Sequence, residues 1–248
     1  MKALEGIPAS SDGALGQPRV HLRSVDSTSD RARGLAIAGA PHGTLVTASV
    51  QTAGRGRQGR RWSAPADSAL LMSLILRSPP SLLPLIAAVA VCDVVGVEAR
   101  IKWPNDIVLE RGRDLAKLAG ILAEGRPQEG WAILGIGLNV SVGLEELPAE
   151  LRARTATLGE PRERIEPTLK ALLDALERRL AEREIATLEA WRARDALRGR
   201  EIVWGTHPTG SPGHGRAEGI DGTGRLVVAL AEGGHTALDA GEVHLQGT

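Results

Sequence analysis

The 248-residue chain carries 30 lysines plus arginines and 30 aspartates plus glutamates, so no global field draws it to nucleic acid or to an anionic membrane, and anion recognition must be local. Its single cysteine, Cys92, excludes an internal disulfide framework and points to a reducing compartment. The longest apolar run, residues 85–92, falls well short of the roughly 20 residues that cross a bilayer, and residues 1–18 lack the apolar core of a secretory signal. A cytoplasmic protein without a membrane helix is expected.

Residues 1–19 read as a loose terminus. Residues 20–25 then form a strand, and the polar run from Asp26 to Asp30 offers N-cap side chains for a helix running to about Ala38. Ser27 and Thr28 leave two roles open, capping the helix or facing a ligand at its positive end. Apolar segments 43–50 and 69–76 read as buried strands. Residues 82–95 form a buried helix around Pro84, followed by a short strand at 99–102. Two further strands flank a charged hairpin tip at 110–114, and 130–140 supplies another buried strand with a glycine-broken end. Strands joined by short turns, with few helices between them, predict an α+β domain: a mixed β-sheet with flanking helices.

Leu169, Leu172, Leu173, Leu176 and Leu180 recur at three- and four-residue spacing and mark an amphipathic helix. A second helical piece reaches Trp191 and Leu197, with its apolar stripe assigned to the core. From residue 199 the texture changes to short strands at 201–204, 215–220 and 225–230, separated by turns, which predicts a small β-barrel or sandwich. The expected domains are therefore 20–197 and 198–248. Four histidines, His207, His214, His235 and His244, fall in this tail, but their spacing matches no zinc motif and no metal site is expected. Phenylalanine and tyrosine are absent, so Trp62, Trp103, Trp131, Trp191 and Trp204 are the only large rings for packing or stacking.

The segment GRGRQGRRW at 54–62 places four arginines and three glycines in nine residues. Glycines let the backbone approach a ligand, and guanidinium forks match phosphate and carboxylate oxygens. The expected ligand is a nucleotide, or an acid being activated by one. The segment satisfies G-x-G-x-x-G, but a dinucleotide site needs a helix to open at once, and here Arg60, Arg61, Trp62, Ser63, Ala64 and Pro65 follow. A disordered arginine-glycine tract would repeat over a longer span, whereas a solvated surface loop stays open on this segment alone.

Three further patches follow in order: KWPNDI at 102–107, KLAGILAE at 117–124 and GIGLN at 135–139. With the 54–62 loop, they make residues 20–195 resemble the biotin protein ligases, and the β-rich tail resembles that family's SH3-like carboxyl-terminal domain. The resemblance implies activation of biotin by MgATP to biotinyl-5′-AMP. Transfer to a lysine of a biotin carboxyl carrier protein, or of that domain in an acetyl-CoA or acyl-CoA carboxylase, then follows. It implies a catalytic role for Lys117, Arg55, Arg57 and Asp106, with Lys117 contacting the biotin carboxylate and adenylate and Asp106 near the acceptor amine. Ser27, Thr28 and Gln51 match positions around the biotin ureido ring. Gly54, Arg55, Gly56, Arg57, Lys117, Gly120, Gly135 and Gly137 complete the biotin side. Arg57, Arg60, Trp62, Lys102, Asn105, Lys117 and Asn139 fall on the ATP side.

The chain departs from the family pattern at three places. Ser29 stands on the biotin side where asparagine is common, the interval from Asp106 to Lys117 is a few residues long, and Gln246 replaces a frequent arginine. The match begins near residue 20, so a short form without the amino-terminal DNA-binding module of many relatives is expected. Neither DNA nor membrane is an expected partner, and a homodimer stays open. The rival readings are a lipoate or octanoate protein ligase, whose RRxSGGG signature is missing, and a module or regulator that only binds biotin or nucleotide.

Overall fold

A computed structural model describes residues 14–205, 212–239, 241 and 243–245. Residues 1–13, His207 and Gln246 lie outside the described residues. The first domain runs β1 (Arg19–Val25), α1 (Thr28–Ile37), β2 (Leu45–Gln51), β3 (Ala69–Arg77), α2 (Leu83–Val95), β4 (Arg100–Lys102), β5 (Asp106–Arg111), β6 (Asp114–Arg126), β7 (Trp131–Asn139), α3 (Ala149–Arg152), α4 (Ile165–Leu180) and α5 (Glu184–Arg192). Its seven strands are ordered β1-β2-β3-β7-β6-β5-β4. β1 pairs parallel with β2, and every other neighbouring pair is antiparallel.

Strand β3 is almost continuously apolar because both faces of the sheet are covered. Leu70, Met72, Leu74 and Leu76 enter the large core with α2 and α4, whereas Ile75 joins Ala32 and Ala36 of α1 in a smaller core. This is the period-two alternation of a strand read by two different layers. Helix α2 has no polar face over Leu85 to Cys92 because it lies between the sheet and helices α4 and α5. Helix α4 buries Leu169, Leu172, Ala175 and Leu176 against it and leaves its charged face outside. Asp93 near the end of α2 accepts from Arg179 Nε of α4 at 2.7 Å and from Arg194 Nη2 at 3.2 Å, fastening three segments at one carboxylate.

The second domain contains β8 (Glu201–Trp204), β9 (Gly213–Ile220), β10 (Leu226–Ala229), β11 (His235–Leu238) and β12 (Val243–Leu245). They form one antiparallel sheet ordered β11-β10-β9-β8-β12. Among the described residues the sheet stays open, with β11 and β12 at opposite edges. The sequence reading missed both edge strands because they are short and carry few buried apolar side chains. The sheet docks on the first domain, where Trp103 Nε1 donates to the Gly224 carbonyl at 3.1 Å and Arg192 donates to the Ile220 carbonyl.

Two expectations are corrected. Residues 14–18 are docked, not loose: Leu15 is buried, its N–H donates to Glu177 Oε1 at 2.8 Å, and Gly16 N–H donates to the Gly43 carbonyl. The glycines of the 135–139 segment do not break β7, which pairs without interruption along β3.

Candidate active site

One cavity opens between the start of α1, the 54–62 loop, and strands β5, β6 and β7. Its inner end is neutral. Ser27 caps α1, and the next residue, Thr28, donates through both N–H and Oγ1 to Gln51 Oε1 at 2.7 and 3.0 Å. Ser73 Oγ donates to Thr28 Oγ1 at 2.8 Å and lies 3.0 Å from Ser29 Oγ. These groups form an amide and hydroxyl chain without a formal charge, with Thr28, Ser29 and Ser73 buried. Gly135 faces it so closely that a Cβ there would sit 2.8 Å from Ser29 Oγ.

The other end is cationic. Antiparallel register sets Lys102 of β4 opposite Asp106 of β5, and Lys117 of β6 reaches the same carboxylate, with Nζ 2.7 Å from Asp106 Oδ1. Lys117 is held through its backbone, donating N–H to the Arg154 carbonyl at 2.7 Å and accepting from Ala156 N–H at 2.8 Å. Burial pushes the Lys102 ammonium below its ordinary value, opposed by Asp106. Burial also lowers Arg57, again opposed by Asp106. Three cations therefore share the vicinity of one carboxylate, an arrangement that favours additional negative charge.

The loop between these ends is a tight hairpin. Gly56 N–H donates to the Arg60 carbonyl at 2.8 Å, and Trp62 N–H to the Gly54 carbonyl at 3.0 Å. The Trp62 ring lies against Gly120 and Gly137. A Cβ on Gly137 would stand 2.4 Å from its ring, which accounts for glycine there. The Lys117 ammonium lies 5.6 Å from the ring centroid. Arg55 differs from its neighbours because both arms of its guanidinium are engaged by carboxylates, Asp30 at 2.6 Å and Glu124 at 2.9 Å.

Of the residues singled out from the sequence, all but Ser27, Gly54 and Asn139 line this cavity. Asn139 is buried behind it and donates Nδ2 to the Ala156 carbonyl at 2.9 Å, bracing the segment that fixes Lys117. Asn105 lines the wall and donates Nδ2 to the Ile121 carbonyl at 2.7 Å. Sequence reasoning missed Ser73, whose signal was a lone hydroxyl inside an apolar strand, and also Gly241 and Val243, which the second sheet contributes to the wall. No local sequence signal marks those two.

The biotin/lipoate A/B protein ligase family matches residues 21–141, and the biotin protein ligase C terminal domain matches residues 199–245. The chain is 33% identical over 248 residues to the biotin--[acetyl-CoA-carboxylase] ligase of Paracoccus denitrificans, covering 91% of this chain and 100% of that protein. The chain belongs to the biotin/lipoate A/B protein ligase family. Within it, the bifunctional ligase/repressor BirA of Bacillus subtilis is 39% identical over 158 residues, 59% of this chain but 47% of that protein. The chain thus spans about half the length of that family member. The biotin protein ligase from Aquifex aeolicus in complex with biotin and ATP superposes with a TM-score of 0.73 at 25% identity, covering 93% of this chain and 99% of that one. The family's two-domain architecture accordingly agrees with the two sheets described above.

Proposed function

We propose that the protein activates biotin with ATP to biotinyl-5′-adenylate and pyrophosphate, then transfers the biotinyl group to a lysine of a carboxylase biotin carrier protein or domain. The observation that carries this reading is the polarity of this cavity, neutral at the Gln51, Thr28, Ser73 and Ser29 end and cationic around Lys102, Lys117 and Arg57. A cyclic urea needs donors and acceptors without charge, whereas a carboxylate meeting a triphosphate needs cations to offset repulsion.

In the first step a biotin carboxylate oxygen attacks the α-phosphorus and the bond to the β-phosphate oxygen breaks, releasing pyrophosphate. Lys117 and Arg57 face the charge that develops, and Lys102, Arg60 and Asn105 serve the nucleotide side. Magnesium enters with the ATP phosphates as part of that substrate. The hairpin with Trp62 covers the mixed anhydride and limits hydrolysis by water. In the second step the acceptor amine attacks the acyl carbon and AMP leaves. An ammonium with a pKa near ~10.4 is not nucleophilic, so its proton must be taken up first. Asp106 fills this role once the ligand's anionic groups draw Lys117 away from their 2.7 Å pair.

This work divides between a catalytic domain over 20–197 and a smaller domain from 198 that adds Gly241 and Val243 to the wall. A cytoplasmic setting, where ATP and the acceptor meet, goes with it. The test is pyrophosphate release from MgATP by the purified protein, with biotin, lipoate and octanoate supplied separately. Release with biotin alone is expected. Release with lipoate or octanoate instead moves the chain to the other branch of its family, and silence with all three overturns the reading.

A further inference from the structure

Asp30, Arg33, Arg55 and Glu124 close a ring of ion pairs beside the cavity. Asp30 Oδ1 accepts from Arg33 Nη1 and Arg55 Nη1, each at 2.6 Å. Glu124 Oε2 accepts from Arg33 Nη2 at 2.8 Å, and Glu124 Oε1 from Arg55 Nη2 at 2.9 Å. The four side chains come from three places: the first two turns of α1, the first residues of the 54–62 hairpin, and the outer half of β6. Two cations and two carboxylates balance, each carboxylate bridges both guanidiniums, and no member is more than 40% exposed.

We infer that this ring is a clamp that fixes the base of the hairpin to the helix start holding Thr28 and Ser29, with Arg33, Asp30 and Glu124 as positioning residues and Arg55 as a strut, not a phosphate ligand. If Arg55 turned to a phosphate, it would abandon two charge-assisted hydrogen bonds and leave Asp30 and Glu124 sharing Arg33 alone. Its hydrogen bond to Asp30 already raises the Arg55 guanidinium above its ordinary value. Arg57, beyond the clamp, lines the same cavity near Asp106. The clamp also joins the two ends of the site, because Asp30 directly follows Ser29 and Arg55 directly precedes the hairpin turn. A ligand that orders the helix start therefore orders the loop through the same four side chains.

The inference rests on the adenylating function proposed above, and one part of its test does not. Trypsin nicking of the ligand-free protein within 55–61 reads clamp opening without turnover, since cleavage follows the open population. Arg33→Ala, outside the cavity lining, is expected to speed nicking and to speed loss of biotinyl-adenylate by about 3- to 10-fold each, the scale of one or two partly exposed ion pairs. Arg33→Lys should recover part of both effects, and added salt should shrink the difference from wild type. The urea midpoint of the whole fold should stay near wild type, which separates positioning from general destabilisation. Glu124→Gln, an isosteric change, serves as the second variant and should move both readouts in the same direction. Wild-type nicking and wild-type adenylate retention in both variants would overturn the clamp. Wild-type protein that forms no adenylate would overturn the function instead, while the nicking comparison still decides the clamp.

Discussion

At the scale of single residues, the site is organised by what each charge can reach. Lys117 is fixed by two backbone hydrogen bonds and aimed at Asp106, so its ammonium position is set by strand geometry more than by side-chain choice. Lys117→Ala is expected to lower biotin-dependent pyrophosphate release by about 10²- to 10³-fold, the scale for removing one preorganised electrostatic donor. Asp106→Ala should instead spare adenylate formation and slow transfer to the acceptor, measured as separate half-reactions in single turnover. Equal losses in both half-reactions would remove Asp106 from the transfer step. Most cavity residues were legible in the sequence because they cluster in four short motifs. Ser73 was not, because its partners Thr28 and Ser29 lie 45 and 44 residues away in the chain.

At the scale of elements, periodicity predicted what burial later confirmed. The leucine spacing of 169–180 became α4, and the unbroken apolar run of 85–92 became the sandwiched α2, since a helix covered all round needs no polar stripe. The β9–β10 turn shows how a short loop is secured by one carboxylate. Burial alone would raise the Asp221 carboxyl, but hydrogen bonds from Thr223 Oγ1, Thr223 N–H, Arg225 N–H and the Arg225 guanidinium hold it at about 2. That folded value lies below the ordinary ~3.9. The stabilisation is therefore complete above pH ~4 and is lost as pH falls toward the folded value. Asp221→Asn should lower stability on the order of 1–2 kcal/mol at neutral pH, with the difference from wild type vanishing near pH ~2. A constant difference across urea unfolding curves at pH 7 and low pH would contradict this assignment.

At the scale of the whole molecule, the carboxyl-terminal part of the chain adds Gly241 and Val243 to the cavity wall. Trp103, next to Lys102, is 2% exposed and donates its indole N–H to the Gly224 carbonyl, while Gly224 packs against Leu82 and Leu85 of the α2 region. Arg200 adds an ion pair to Glu110 at 2.6 Å on the same interface. Trp103→Phe keeps the apolar contact but leaves a buried carbonyl without its donor, costing about 1–3 kcal/mol. Because Trp103 directly follows Lys102 on the cavity wall, the variant should also raise KM for ATP more than KM for biotin. Unchanged stability together with an unchanged ratio of the two would show that the domains act independently.

The sequence by itself determined the fold class, the change to short strands after residue 199, the main helices and the clustering of charge and glycine in four short motifs, because these depend on local periodicity, turn residues and charge within short windows. Tertiary structure alone decided which partner each cation of the cavity wall takes. Arg55 and Arg57 stand two residues apart in the same motif, yet one is held between Asp30 and Glu124 and the other lies near Asp106. The same holds for the wall from Gly241 and Val243 and for the hydroxyl chain through Ser73. The physical reason is that a side chain's partners come from strands and helices brought together by burial of apolar surface elsewhere, and no local pattern records where those distant groups will meet.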